Sequence, residues 1–229
     1  MLFENAMKKL ALQFILVFTS VLALGQDQFT NSGNVQAFAG ASITFFGNFA
    51  NNGTFTDAAT AVNFNGTANQ VISGTSVTTF SNLVENNAAG VTLQQDMTVS
   101  NTLALAAGQL NLNSRTLTIT NNAATAVSRT SGYVLSEQVN NSSKVTWNIG
   151  TNTTAHVFPF GTAAAAYIPF TVTVTAGDIG NVTVSTYPTA ADNTPYPTAP
   201  SAVTDVNRDG SDNSANVVDR FWQIDKDGP

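Results

Sequence analysis

The sequence of 229 residues lacks cysteine altogether and has few charged residues, which make up 10% of the chain. Without cysteine there are no disulfides, and thiolate metal sites, thiol redox chemistry and a cysteine nucleophile are excluded. Scarce charge argues against a fold of surface helices, because the solvent face of such helices carries Glu, Lys and Arg. Stability must therefore come from packing and backbone hydrogen bonds.

Small polar residues fill the space that charged residues leave, and the mean hydropathy is near zero at +0.05. Abundant Thr, Asn, Ser and Gly are typical of β structure with many tight turns. Disorder is the alternative for such a composition. A hydrophobic content of 43% with regular spacing argues against disorder and predicts an all-β fold.

The N-terminus has the pattern of a secretory signal peptide over residues 1–25. Lys8 and Lys9 precede an apolar run over residues 10–24, and small residues lie just before Gln26, where we predict cleavage. A membrane anchor is the alternative, but the run of about 15 residues is shorter than the roughly 18–20 that a spanning helix needs. We therefore expect a secreted or cell-surface protein that meets the membrane only through its secretion signal.

The mature chain is acidic. Removal of residues 1–25 leaves six basic and thirteen acidic residues, a net charge of −7. An acidic surface repels the phosphate backbone, so no nucleic-acid partner is expected.

Five short triplets, each with two apolar residues around a small or polar one, follow one another between residues 91 and 119. They begin at Val91, Met97, Leu103, Leu110 and Leu117. In a strand this alternation sends both apolar side chains to one face. The triplets therefore predict five short strands that share one buried side.

The triplets recur with a longer step of 19 or 20 residues. Such a step predicts a parallel β-helix, or solenoid, over residues 26–128, with three short strands in each coil and apolar side chains stacked inward. An antiparallel meander is the alternative, which the dipeptide Asn65-Gly66 favours as a hairpin turn. The pairs that define the step are Val91 and Leu110, Met97 and Leu117, Val71 and Val91, Leu83 and Leu103, and Phe45 and Phe64.

Asparagines lie between the apolar pieces, for example at Asn51-Asn52 and Asn86-Asn87. Asn tolerates the left-handed conformation and bonds its own backbone, so we expect it at corners. A β-helix lyase or hydrolase needs clustered carboxylates. Residues 31–128 contain only scattered charges, which we predict to be solvated corner residues, and we expect no catalytic residue. These charges are Asp57, Glu85, Asp96 and Arg115.

A family resemblance covers most of residues 60–120. Residues 79–83 read Thr-Phe-Ser-Asn-Leu, residues 86–93 read Asn-Asn-Ala-Ala-Gly-Val-Thr-Leu, and Leu-Ala-Leu, Gly-Gln-Leu-Asn-Leu and Leu-Thr-Ile follow. This series resembles the repeats of large secreted surface proteins of Bacteroidetes, which typically end in a type IX secretion sorting domain. The resemblance implies an extracellular stalk or adhesin-like role. No sorting domain is recognisable here, so we expect an N-terminal piece of a longer protein.

Residues 129–229 change to longer strands, which predict an antiparallel β-sandwich-like module. Phe170, Val172 and Val174 alternate with threonines, as in a half-buried antiparallel strand. Other strands are predicted over residues 133–139, 144–149, 155–160, 181–187 and 217–224. The series over residues 158–161, 167–170 and 220–224 is also similar to the module that follows such repeats in the same surface proteins.

Four rings of this second region are the candidates for a binding or catalytic role. An exposed sugar platform would use Trp147, Tyr187 and Tyr196, but core packing is the favoured interpretation. His156, the only histidine, lies in an apolar strand pattern without a readable Ser or Asp partner. We predict a structural histidine rather than a catalytic one.

A stretch of alternating oxygen-bearing side chains predicts a calcium loop. Its candidate ligands are Asp205, Asn207, Asp209, Ser211 and Asn213, with a glycine at the sixth position as in D-x-N-x-D-G loops. Calcium prefers six to eight oxygen ligands, and the glycine permits the turn that brings them together. The twelfth position lacks a bidentate carboxylate, and an acidic surface loop of Asx turns is the alternative.

Taken together, these features lead us to expect a non-catalytic secreted or cell-surface structural or adhesion module. The alternative is a carbohydrate-binding or carbohydrate-active β-helix protein. An extracellular glycan or a surface protein is the expected partner, and calcium is the one candidate cofactor.

Overall fold

The computed structural model describes residues 28–199 and 201–228. The predicted signal peptide lies outside these residues. Strand accounts for 49% of the structure and helix for 4%, which confirms the all-β class. Short 3-10 segments span Ala124–Ala126, Val139–Asn141 and Ser214–Asn216. The strands are β1 (Gln28–Asn31), β2 (Asn34–Ala37), β3 (Ser42–Phe45), β4 (Asn48–Asn51), β5 (Thr54–Asp57), β6 (Ala61–Phe64), β7 (Gln70–Gly74), β8 (Thr78–Asn86), β9 (Val91–Leu93), β10 (Met97–Ala107), β11 (Gln109–Asn111), β12 (Thr116–Ile119), β13 (Val127–Arg129), β14 (Tyr133–Leu135), β15 (Lys144–Asn148), β16 (His156–Phe158), β17 (Phe160–Gly161), β18 (Phe170–Val172), β19 (Asn181–Pro188), β20 (Asn207–Arg208), β21 (Ser211–Asp212) and β22 (Arg220–Lys226).

The chain winds into a parallel β-solenoid of about five turns, as predicted. Each coil contributes one strand to each of three walls. The first wall has the strand order β1-β4-β7-β9-β11-β14-β17, and all of its neighbours are parallel. Strands β8 and β10 are long because they bend around a corner and so belong to both other walls.

The second and third walls separate at that corner. Residues 97–99 of β10 pair with β12, and residues 103–105 pair with β13. The second wall contains the first halves of β8 and β10, β12 and β15. The separate pair of β2 and β5 precedes it, with the Asp57 carboxylate of β5 accepting from the Ser81 N–H of β8. The third wall contains β3, β6, the second halves of β8 and β10, and β13.

The predicted coil step is confirmed at four of its five pairs. Val91 pairs with Leu110, and the pairs that begin at Met97, Leu83 and Phe45 also match the sequence prediction. The pair Val71 and Val91 is wrong by one residue.

In the structure Gln70 pairs with Val91, and Val71 pairs with Thr92. Side chains along a strand alternate between faces, so this slip moves Val71 from the predicted inner face to the outer face. Gln70 and Ile72 take the inner positions and are buried.

The antiparallel meander is excluded for the coils. Asn65-Gly66 is not a primed hairpin turn, because neither residue has a positive φ angle. The Asn65 N–H instead donates to the Phe45 carbonyl of the coil below, at 3.0 Å.

The solenoid interior is built from the triplets. In all five the outer two side chains are buried and the middle one is half-buried. At the N-terminal end the core is aromatic, with ring centroids 4.9 Å apart for Phe45 and Phe49 and 6.1 Å apart for Phe64 and Phe80. Each such side chain contributes roughly 1.5–3 kcal/mol on burial, so repetition of one inner column stabilises the whole shaft.

Asparagines lie at the corners and bond their own backbone as predicted, since Asn51 Oδ1 accepts from the Gly53 N–H at 3.3 Å and Asn87 Oδ1 accepts from the Ala89 N–H at 2.9 Å. Asn51 and Asn87 are buried with negative φ angles. Their amides bond neighbouring coils: Asn51 Nδ2 donates to Thr78 Oγ1 at 3.0 Å, and Asn87 Nδ2 donates to Gln70 Oε1 at 3.0 Å. Asn51 and Asn87 therefore also form hydrogen-bond ladders along the shaft, whereas Asn113, with a φ angle of 48°, takes the predicted left-handed conformation at its corner.

Antiparallel pairing begins at β15, where the second wall continues into the C-terminal part. Strand β15 is parallel to β12 and antiparallel to β19, and β22 is antiparallel to β19. Strands β16 and β18 form a second antiparallel pair. The rings of Phe158, Phe170 and Trp222 pack between these layers, with centroids 6.1 Å apart for Phe158 and Phe170 and 5.8 Å for Phe170 and Trp222.

Two details of the predicted C-terminal strands are wrong. Residues 133–139 were expected in an antiparallel strand, but β14 covers Tyr133–Leu135 and pairs parallel with β11 and β17. The final strand is Arg220–Lys226 rather than residues 217–224, because it takes its register from β19. The parallel ladders thus continue past residue 128, and the division into two domains there stays a prediction.

Candidate functional site

The predicted calcium loop is a tight hairpin. Strands β20 and β21 are antiparallel and are joined by Asp209 and Gly210, with φ angles of 53° and 81°. Two positive φ angles are typical of a type I′ turn, which the Asp-Gly dipeptide favours. The glycine therefore permits a turn, as predicted, but the turn closes a hairpin.

The hairpin does not bring the five predicted ligands together. Asn207 lies opposite Asp212, and Arg208 lies opposite Ser211, so Asn207 and Ser211 are on opposite faces. Within the described residues no group of three or more His, Cys, Asp or Glu side chains is arranged to hold a metal. Calcium binding by Asp205, Asn207, Asp209, Ser211 and Asn213 stays a prediction.

The aromatic candidates pack inward. Trp147 and Tyr187 are fully buried, and Tyr196 is half-buried with its hydroxyl donating to the Asp192 carbonyl at 3.2 Å. The Trp147 Nε1–H donates to the Asn121 carbonyl at 2.9 Å. These rings therefore form no exposed platform for a sugar, and the predicted core packing is confirmed for Trp147 and Tyr187.

His156 is buried beside Trp147, with the two rings edge to face at 4.8 Å. Its Nδ1 lies 2.7 Å from the Thr154 carbonyl oxygen, and its Nε2 lies 3.0 Å from the Asn122 carbonyl oxygen. Both ring nitrogens thus contact backbone carbonyls, one in the segment before β16 and the other in the segment after β12. These contacts hold backbone segments together, and the absence of a catalytic role for His156 stays a prediction.

The charges of the shaft do not all lie in solvent. Asp57 is half-buried, and its carboxylate accepts from the Thr60 and Ser81 N–H groups at 2.7 and 2.6 Å. Asp96 and Arg115 are exposed, as predicted. The prediction is wrong for Glu85, whose side chain is only 1% exposed.

Glu85 occupies an inner position of the third wall, between Phe64 and Leu105 of the adjacent coils. Its Oε1 accepts from the Asn87 N–H at 3.1 Å, and its Oε2 has no hydrogen-bond partner. Burial raises the pKa of Glu85 from 4.5 to about 7, against the smaller lowering effect of the Asn87 N–H. Glu85 lies two residues after Leu83, which is buried. This period-two spacing is the sequence pattern that could have predicted an inner position for Glu85.

Two glycines make room for this carboxylate. A Cβ at Gly108 would lie 1.9 Å from the Asn87 carbonyl oxygen and 3.2 Å from Glu85 Oε1, and one at Gly132 would lie 3.0 Å from Glu85 Oε2. Burial raises the pKa of nearby Tyr133, with smaller contributions from the charges of Glu137 and Glu85. An enclosed lone acid of this kind can hold a proton near neutral pH, but no second catalytic group faces it among the described contacts.

The most regular feature of the outer face of the second wall is a file of five threonines, of which Thr79 is exposed and the other four are half-buried. Each threonine lies between two buried neighbours of its own strand and pairs in register with the next threonine. We call this set the threonine file. Its members are Thr79, Thr98, Thr118, Thr146 and Thr183.

The threonine file is regular and uncharged. Neighbouring strands lie about 4.8 Å apart, so its five rungs span roughly 19 Å. At the C-terminal end Thr146 and Thr183 hydrogen-bond through their hydroxyls at 2.9 Å, and the next rung is Asp225. Sequence reasoning missed this file, because the corners between strands differ in length and only the register brings the threonines into line.

These features define a parallel β-solenoid protein with ladders of polar side chains along its corners and a threonine file on one wall. Comparisons with protein-family models, with curated proteins and with solved structures found no match. Among the described residues no helix combines the length and the hydrophobicity needed to cross a bilayer.

Proposed function

We propose that this protein is a non-catalytic structural or adhesion module that is secreted or displayed at a cell surface. The threonine file supports the proposal most directly, because an extended row of hydroxyls on a rigid wall presents a continuous contact surface rather than a pocket. The secretory pattern of residues 1–25 and the resemblance to type IX-secreted surface proteins of Bacteroidetes support the location.

A surface-binding experiment tests the adhesive role. Beads coated with the chain are expected to bind cells or extracellular matrix more strongly than beads coated with the variant Thr98→Lys/Thr118→Lys, which places charge in the middle of the threonine file. Equal retention of both bead types across a panel of cells and matrices would contradict the proposal.

The location is tested separately by expression in a secreting host. Protein recovered outside the cell is expected to begin at Gln26, as N-terminal sequencing would show. Retention of the uncleaved chain inside the cell would contradict the proposed location without bearing on adhesion.

Carbohydrate binding is the second candidate, and the threonine file again favours it. Threonine hydroxyls donate and accept hydrogen bonds, and a file whose own side chains are uncharged and which ends at Asp225 suits a neutral polysaccharide better than an acidic one. Regular rungs also match a polymer with repeating hydroxyl groups.

Co-sedimentation with insoluble neutral polysaccharides tests this candidate. The variant Thr98→Val/Thr118→Val is expected to bind at least about tenfold more weakly, because it removes two hydroxyls and keeps the shape of the wall. The control Thr44→Val/Thr171→Val changes two exposed threonines outside the file and is expected to bind as the parent does. Binding that survives the file variant excludes this surface, and release of new reducing ends would indicate a catalytic protein instead.

A further inference from the structure

The first described coil forms an open end of the shaft. Strands β1, β2 and β3 pair with β4, β5 and β6 on one side, and within the described residues no strand pairs with their other side. Among the described residues, each of them therefore has a row of backbone N–H and carbonyl groups that no other strand pairs with. Three such edges, one in each wall, surround the end of the core.

The aromatic core extends to this end of the shaft. The Phe29 ring stacks on Phe49 with centroids 6.0 Å apart and an interplanar angle of 6°, and it is 37% exposed. Phe38 and Phe46, which follow β2 and β3, are each 59% exposed. The open end thus combines unpaired strand edges with exposed apolar rings.

The usual protection of an edge strand is missing from the sequence here. Natural edges carry charged residues, prolines or bulges that prevent pairing with another chain. Residues 28–56 contain no charged residue and no proline, and β1, β2 and β3 keep a regular register with their neighbours.

The nine-stranded sheet that has β3 at one edge has β22 at its other edge, and the two edges differ in charge. Its edge strand β22 carries the exposed charged residues Asp225 and Lys226 among its seven residues. One end of the molecule is therefore charged like a protected edge, whereas the first coil is not.

We propose that the first coil joins the first coil of a second copy of this chain, edge to edge and head to head. A two-fold axis makes such strand pairs antiparallel and satisfies equivalent backbone groups on both copies. The mature chain that is predicted to begin at Gln26 carries a net charge of −7, so most of its surfaces repel one another, but strands β1, β2 and β3 contain no charged residue. A head-to-tail contact would instead place this coil against a charged edge and would continue into a filament.

This inference goes beyond the proposed function. The pairing lengthens the shaft to two solenoids in line and places both C-terminal parts at the outer ends. It depends on the first coil alone and holds whether or not the threonine file binds a ligand.

Sedimentation velocity on the full chain tests the pairing. The parent is expected to sediment as a dimer. The variant Thr30→Lys/Gln36→Lys/Thr44→Lys places one like charge on each edge strand and is expected to weaken association at least about tenfold. The control Thr79→Lys/Ser100→Lys/Thr120→Lys adds the same charge at exposed positions of middle coils and is expected to remain a dimer.

Spin labels then test the orientation, because a chain without cysteine accepts a single label at a chosen site. A label on Gln36→Cys is expected to show dipolar coupling within the dimer, whereas a label on Asp209→Cys in the C-terminal hairpin is expected to show none. A monomeric parent, a dimer that is insensitive to the first-coil lysines, or coupling only from the hairpin label would each overturn the proposal. A monomer whose first-coil amides resist hydrogen exchange would show that the chain's own N-terminal residues cover the edge.

Discussion

Glu85 shows how one residue departs from the pattern of its wall. It lies in an inner column with Phe64 and Leu105, and its Oε2 has no hydrogen-bond partner. Burial favours the neutral acid and raises its pKa from 4.5 to about 7. The native state therefore binds a proton over a pH range in which the unfolded chain has released it.

The sign of the pH effect follows from this difference. The stability that depends on protonated Glu85 is fully present below about pH 4.5 and is lost as the pH rises through about 7. A difference of this size corresponds to a loss on the order of 3 kcal/mol, since one pKa unit is about 1.4 kcal/mol.

We predict that Glu85→Gln raises the free energy of unfolding at pH 8 by up to about 3 kcal/mol, because it removes the buried charge. The fall in stability between pH 4.5 and 7 should flatten in the same variant. Urea unfolding followed at several pH values measures both effects. The control Asp209→Asn changes a carboxylate whose side chain is 94% exposed, and it should leave the profile unchanged.

Adjacent coils are joined at one corner by a buried ladder of side-chain hydrogen bonds. Asn31 Nδ2 donates to Asn51 Oδ1 at 2.8 Å, and Asn51 Nδ2 donates to Thr78 Oγ1 at 3.0 Å. An exposed ladder follows another corner, where Asn101 Nδ2 donates to Asn82 Oδ1 at 2.6 Å. Side-chain amide hydrogen bonds between coils therefore occur both in a buried and in a solvent-exposed environment.

We predict that Asn51→Ala lowers the free energy of unfolding by about 2 kcal/mol, because it removes two buried hydrogen bonds, to Asn31 and to Thr78, that join three coils. Asn101→Ala is the matched control and should cost no more than about 0.5 kcal/mol, since water replaces the lost bonds. Equal costs in urea unfolding would show that burial does not set the strength of these ladders.

Strand β22 is held to the end of the solenoid by an ion pair as well as by its ladder. Arg220 Nη2 lies 2.7 Å from Glu137 Oε1, and the two side chains are 10% and 12% exposed. Arg220 Nη1 also donates to Thr186 Oγ1 at 3.2 Å. Enclosed charges of this kind are costly when either is left alone.

We predict that Arg220→Met lowers the free energy of unfolding by about 3 kcal/mol, because Glu137 then remains buried without a counter-charge. The double variant Glu137→Gln/Arg220→Met should recover most of that loss. A double-mutant cycle in urea measures the coupling, and additive losses would contradict it.

The described part of the chain has one continuous core. Buried side chains form a single cluster that includes Phe45 in the first coil and Val184 in the antiparallel part. The second wall runs without interruption from β12 through β15 to β19. Contacts of this kind couple neighbouring units in a repeat protein.

We predict one cooperative unfolding transition for the described chain. Leu117→Ala in the solenoid should lower stability by about 2–5 kcal/mol and Val184→Ala in the antiparallel part by about 2 kcal/mol, and both should shift the same calorimetric peak. Two peaks, each sensitive to only one of these variants, would support independent domains divided near residue 128.

The sequence by itself determined the all-β class and the parallel coils, because period-two alternation and a step near 20 residues can both be recognised in the order of the residues. Leu83 pairs with Leu103, and Val91 pairs with Leu110, as that step predicts. The same local pattern correctly placed Trp147 in the core.

Only the tertiary structure decided the features that depend on how the coils align. Corner lengths vary, so the register that turns Val71 outward, buries Glu85 and lines up the threonine file is set by pairing between distant strands. The hairpin at Asp209 likewise depends on which strands its flanks join. A residue's neighbours along the chain fix its tendency to form a strand, whereas its neighbours across the coils fix the face on which it lies.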